Sequence, residues 1–97
     1  MDQTKLDESS IVVAGNHQTS AEVDGERVIL DLEEGIYYGL DSVGARIWTV
    51  IQEPTSVSEV VNTLTAEYDV KQEQCLADVV ALLHDLKDRG LIVVKKA

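Results

Sequence analysis

The sequence predicts an α+β domain in which an N-terminal three-stranded antiparallel sheet is followed by three helices. Three observations carry this. Apolar residues alternate on either side of Asp24-Gly25. Val57, Val60, Val61, Leu64 and Tyr68 recur at helical spacing. Residues 75–86 gather Cys75, Leu76, Val79, Val80, Leu82, Leu83 and Leu86 onto about 160° of a helical wheel.

The first segment, residues 1–9, is polar and is expected to be a flexible tail, with a single domain over residues 10–97. Ile11, Val12 and Val13 form a short apolar run compatible with a strand. Ala21 and Val23, then Val28, Leu30 and Leu32, alternate about Asp24-Gly25, a dipeptide suited to a two-residue hairpin turn because both positions tolerate positive φ. Glu34-Gly35 marks the next turn, and Ile36–Gly39 makes the third strand. Asp41 or Ser42 can cap the first helix, whose apolar positions are Val43, Ile47, Trp48 and Ile51; Glu53-Pro54-Thr55 ends it. Ser56 and Glu59 form a capping box for the second helix. After Asp69-Val70-Lys71, a third helix runs from about Gln72 to Arg89, with Gly90 as its stop, and Leu91–Val94 reads as a final strand. Three helices with a short turn between the last two, together with strands, suggest a winged helix-turn-helix-like arrangement.

Composition narrows the function classes. A chain of 97 residues, 44% hydrophobic and 27% charged, suffices for one globular core, and without Phe that core rests on Val, Ile and Leu. A net charge of −10 repels nucleic acid and anionic lipid and favours a basic or neutral partner. Cys75, the single cysteine, excludes an intrachain disulfide and a multi-cysteine zinc site. No apolar run reaches the ~20 residues of a membrane span, and MDQTKLDESS lacks the basic start and apolar stretch of a signal peptide. A cytoplasmic, non-membrane protein is expected.

The third helix is more apolar than one core-facing stripe of about 100° requires. Leu76, Val80 and Leu83 are expected to face one neighbour, and Cys75, Val79, Leu82 and Leu86 a second. Either a central helix is buried on two sides, or one face awaits a partner, with Asp78 and Asp85 at its border offering carboxylates. The strand Ile36–Gly39 poses the same question. At a sheet edge its free N–H and C=O groups can accept another strand, and period two sends Tyr37 and Tyr38 to opposite faces.

Other chemistries fit less well. A DNA-reading helix needs donors and basic residues at its N-terminus, where this one reads Lys71-Gln72-Glu73-Gln74 and continues through Asp78, Asp85 and Asp88. Leu40-Asp41-Ser42 resembles the attachment motif of an acyl or peptidyl carrier modified at Ser42, but the residues before it alternate like strands where a carrier is helical. Catalysis by Cys75 needs a neighbouring base, and His84 lies on the opposite side of the wheel. His17 and His84 share no metal-ligand spacing, and no Gly-rich phosphate loop is present, so no cofactor is expected.

The joined string DGERVILDLEEGIYYGLDSVGARIW, with Asp78-Val79 and Asp85-Leu86…Arg89-Gly90-Leu91 in and after the last helix, resembles the PqqD-like family over about residues 20–93. These are leader-peptide recognition elements of pathways that make ribosomally synthesised, modified peptides. The Tyr-Tyr-Gly-Leu-Asp and Ile-Trp version most resembles the stand-alone proteins of lasso-peptide clusters. Family members often carry Asn at the position of Asp41, and either residue can cap a helix. The resemblance implies a winged-helix-like fold without DNA binding and a non-catalytic adaptor role. Its partners would be a precursor leader peptide and a modifying enzyme such as a leader peptidase. It implies a groove formed by Val28, Leu30, Ile36, Tyr37 and Tyr38 of the sheet with Cys75, Asp78, Val79, Leu82, Asp85 and Leu86 of the helix.

Overall fold

A computed structural model describes residues 6–15, 18–24 and 26–95. His17 and Gly25 lie outside the described residues, as do residues 1–5 of the expected tail. The chain order is β1 (Ile11–Ala14), β2 (Gln18–Val23), β3 (Glu26–Asp31), β4 (Ile36–Leu40), α1 (Ser42–Val50), β5 (Thr55–Ser56), α2 (Val57–Glu67), α3 (Gln72–Asp88) and β6 (Ile92–Lys95). This is the expected α+β, winged helix-turn-helix-like arrangement of strands followed by three helices.

The meander β2-β3-β4 is the expected three-stranded antiparallel sheet. Val23 pairs with Glu26 across the first turn, and Asp24 takes φ +54°, the left-handed conformation a two-residue hairpin demands. The β3–β4 turn is closed by Gly35, at φ +69°, whose N–H donates to the Asp31 carbonyl (2.9 Å). The Asp31 carboxylate, buried at this turn, accepts from the N–H groups of Glu33 (2.9 Å) and Glu34 (3.2 Å).

A second sheet has the order β5-β1-β6. Here β1 pairs antiparallel with the C-terminal β6, Val12 opposite Val94, and with two residues between the first two helices. The N-terminal segment is held earlier than residue 10. Leu6 is buried in the core, and the Glu8 carbonyl accepts from Ser58 N–H (3.0 Å). The expected boundary falls inside this anchored stretch because Leu6, an isolated apolar residue among polar ones, carries no periodic signal.

Helix ends follow their side chains. Asp41, not Ser42, caps α1, its Oδ1 accepting from Gly44 N–H at 2.7 Å. Ser56 Oγ accepts from Glu59 N–H at 3.2 Å to start α2. At the end of α3, Gly90 takes φ +75° while its N–H reaches the Lys87 carbonyl and Leu91 N–H reaches that of Leu86. This pair of bonds is the Schellman arrangement, which only a residue at ease with positive φ allows. Ser42 follows a strand, which removes the helical context the carrier reading requires.

One continuous core joins the layers: Val12, Ile29, Leu40, Ile47, Trp48, Ile51, the α2 stripe, and Cys75, Val79, Leu83 and Leu86 of α3. The axis of α3 is therefore rotated from the expected division. Leu83 joins Cys75, Val79 and Leu86 on the buried line, and Leu76, Val80 and Leu82 flank it, half-buried. The i, i+4, i+8, i+11 spacing of the first four keeps them on one straight face, which leaves the wider arc as two partly open shoulders.

Candidate functional site

Strand β4 is a sheet edge: β3 pairs with one side, and among the described residues no strand pairs with the other. Its alternation is set by the register. Tyr38 lies opposite Ile29, which is fully buried, so Ile36, Tyr38 and Leu40 share the face turned toward the helices. Tyr37 and Gly39 lie on the other face with Leu30 and Val28, their cross-strand partners. The two tyrosines are thus separated as period two requires, and it is Tyr38 that points toward α3.

Two hollows along one flank of α3 form a trough: the larger lies among α1, the end of α2 and α3, and the smaller between β4 and the end of α3. The larger, of about 360 Å³, has apolar walls that include Val43, Ile47, Leu64, Cys75, Val79 and Leu82. Asp41 and Asp78 also line it and give it an acidic rim. The smaller, of about 220 Å³, lies toward the start of β4 and the end of α3, among Asp31, Glu34, Ile36, Tyr37, Tyr38, Arg89 and Leu91. Sequence reasoning missed Val43, Tyr68 and Val70 as walls of the first hollow. Val43 and Tyr68 occupy the ends of otherwise buried stripes, yet are 38% and 39% exposed. An apolar stripe that outruns its cover is the signal that would have found them.

Tyr38 and α3 meet between the hollows. The Tyr38 hydroxyl donates to Asp85 Oδ2 (2.5 Å), and Arg89 Nε donates to Asp85 Oδ1 (3.2 Å). The Arg89 guanidinium carbon stands 4.9 Å from the Tyr38 ring centroid, a cation–π distance. The Tyr38 hydrogen bond and the Arg89 guanidinium hold the Asp85 carboxyl below the usual carboxylate range. Donation to that carboxylate, reinforced by burial, raises the Tyr38 phenol. One turn before Leu82, Asp78 accepts from Gln74 Nε2 (3.0 Å). Burial first, and the nearby Asp78 second, push the Cys75 thiol up, which disfavours the nucleophilic thiolate.

The structure therefore brings Ile36 and Tyr38 to the smaller hollow and Cys75, Asp78, Val79 and Leu82 to the larger, with Asp85 joined to Tyr38 between them, while Leu86 is core and lines neither. Of these, Cys75 and Val79 are buried floor, and Leu82 is a partly exposed apolar wall. Val28 and Leu30 line neither hollow, whereas Tyr37, their neighbour on the outer face, borders the smaller one. The β3–β4 register puts Val28 and Leu30 on the outer face, opposite Gly39 and Tyr37, while Ile29 and Tyr38 face inward.

The family profile of coenzyme PQQ synthesis protein D (PqqD) matches residues 26–92. The chain belongs to the PqqD family. Two solved structures share the fold of this PqqD-family chain. TbiB1 in complex with the TbiA(beta) leader peptide is 35% identical, with a TM-score of 0.76 over 82% of this chain and 93% of that one. Lasso peptide synthetase B1 complexed with the leader peptide is 28% identical, with a TM-score of 0.76 over 84% and 96%. No curated protein matches the chain significantly. Among the described residues of this PqqD-family chain, no helix is long and apolar enough to cross a membrane.

Proposed function

We propose that this chain binds the leader segment of a ribosomal precursor peptide by strand addition to β4 and presents it to a separate modifying enzyme, a leader peptidase of lasso-peptide-type biosynthesis. The observation that carries the reading is the unpaired edge of β4 beside a trough, in a chain 35% identical to a leader-bound relative. In this role the protein is a cytoplasmic adaptor and contributes no catalysis of its own.

The energetics require both parts of the site. A flexible leader loses about 1–2 kcal/mol for each backbone residue it fixes. Main-chain hydrogen bonds to β4 return only about 0.5–1.5 kcal/mol each. The surplus comes from apolar side chains seated in the trough, about 1.5–3 kcal/mol for each large one fully buried. Leu82 and Val43 supply accessible wall, and Cys75 and Val79 the floor. The net charge of −10 speeds encounter with a basic leader.

Presentation needs a surface that the leader does not occupy. The outer face of the same sheet carries Val23, Leu30 and Tyr37, which are 54%, 39% and 72% exposed. It lies back to back with the trough, so an enzyme seated there meets the leader as the added strand of a shared sheet. A titration of a pool of lasso precursor leaders, TbiA(beta) among them, tests both halves of the reading. At least one leader is expected to bind far more tightly than its scrambled counterpart. Val23→Asp with Leu30→Asp is expected to leave that affinity within about twofold, as surface changes remote from a site do, while slowing cleavage by the peptidase. Binding of no leader above the scrambled controls would overturn leader recognition, and unchanged cleavage would overturn the outer face as the enzyme's seat.

A further inference from the structure

Asp85 borders the trough and, as a carboxylate, invites assignment as a direct ligand for a basic leader residue. Its surroundings argue otherwise. Both oxygens already accept hydrogen bonds, Oδ2 from the Tyr38 hydroxyl at 2.5 Å and Oδ1 from Arg89 Nε at 3.2 Å. Arg89 in turn lies over the Tyr38 ring, so each member of the trio touches the other two. Both ends of the link are anchored. Ile29, the cross-strand partner of Tyr38, and Leu86, the residue after Asp85, are each fully buried.

The trio also occupies a particular place. Tyr38 and Arg89 wall the smaller hollow, Asp41 and Leu82 wall the larger, and the Tyr38–Asp85 link stands between the two. A strand added to β4 sends every second side chain inward. One of these must pass over the Tyr38–Asp85 link, with the hollows on either side of it. A slip of one residue turns every inward side chain outward. The separation of β4 from α3 and the height of this link therefore decide whether a guest seats its side chains.

We infer that Tyr38, Asp85 and Arg89 form a preorganised crosspiece that holds β4 and α3 at a fixed separation and sets the register of the docked strand, with Tyr38 and Asp85 acting as positioning residues. The inference rests on the leader-binding reading. Without the link, Asp85 and Arg89 are free to reorient into the trough, and docking must then order them again.

Labelled TbiA(beta) leader, titrated by fluorescence anisotropy against wild type and variants whose melting temperatures are measured alongside, distinguishes positioning from contact. Tyr38→Phe, which removes one oxygen, is expected to weaken binding about tenfold, in line with loss of a hydrogen bond to a charged group. Asp85→Asn keeps an acceptor for the phenol and is expected to stay within about threefold of wild type, whereas Asp85→Ala matches Tyr38→Phe. The double variant Tyr38→Phe with Asp85→Ala should be no weaker than either single one, because both cut the same link. If Tyr38→Phe lowers the melting temperature but leaves affinity unchanged, the trio is merely structural and the inference falls. If Asp85→Asn binds as poorly as Asp85→Ala while Tyr38→Phe is silent, Asp85 touches the leader directly and the inference falls. A folded wild type that binds no leader overturns the leader reading, and this inference with it.

Discussion

Leu82→Asp is expected to weaken leader binding by about 100-fold or more while leaving the protein folded. Leu82 is the α3 residue that gives the larger hollow an accessible apolar wall, half-buried where its neighbours on the core line, Val79 and Leu83, are 1% and 0% exposed. Replacing it removes the contact for a seated side chain, worth about 1.5–3 kcal/mol. It also adds a third carboxylate to a hollow already lined by Asp41 and Asp78. A guest that covers this carboxylate must strip its water without supplying a charge partner, which costs further. The two effects together exceed about 3 kcal/mol, or about two orders of magnitude in Kd. Isothermal titration with leader, paired with a circular dichroism melt, checks it. A Kd within threefold of wild type would remove Leu82 from the site.

Leu83→Ala is expected to do the opposite: damage the fold and spare the binding chemistry of whatever remains folded. Leu83 is fully buried on the core line of α3. Truncating such a leucine costs about 2–5 kcal/mol, the transfer term plus the cavity left behind. Total stabilities of domains run to about 5–15 kcal/mol, so the loss is a large fraction. For a domain of this size each kcal/mol moves the midpoint by about 4–8 °C, which places the expected fall in Tm at about 8–40 °C. Thermal denaturation followed at 222 nm measures it. A fall below about 3 °C would mean that Leu83 is not where the core is drawn. Adjacent residues on one helix thus separate the two roles.

That separation shows where sequence reading succeeds and where it stops. The meander is legible because Asp24 and Gly35 sit where the turns require positive φ, and the alternation between them has a single consistent register. The helix ends are legible because Asp41, Ser56 and Gly90 each satisfy orphan backbone groups within a few residues. The second sheet is not legible in the same way. Pairing β1 with β6 joins Val12 to Val94, and β5 is two residues long, too short for any period to declare itself. The width of the apolar arc on α3 is correctly read, but its axis is not, because Leu82 and Leu83 stand about 100° apart within that arc and only the position of α2 and the sheets decides which part is covered. Likewise, alternation dictates that Tyr37 and Tyr38 diverge, while the burial of Ile29 decides which turns inward. The polar trio at Tyr38, Asp85 and Arg89 joins residues 47 positions apart and leaves no trace in local pattern.

The central claim is that a foreign strand pairs with the free edge of β4. Amide hydrogen exchange, resolved residue by residue by NMR with and without saturating TbiA(beta) leader, tests it most directly. Alternate amides within Ile36–Leu40, those whose N–H groups point away from β3, are expected to slow by at least about tenfold on addition of leader, while β2, the far edge of the sheet, is unchanged. Saturating leader that leaves every β4 amide exchanging at its free rate would contradict it.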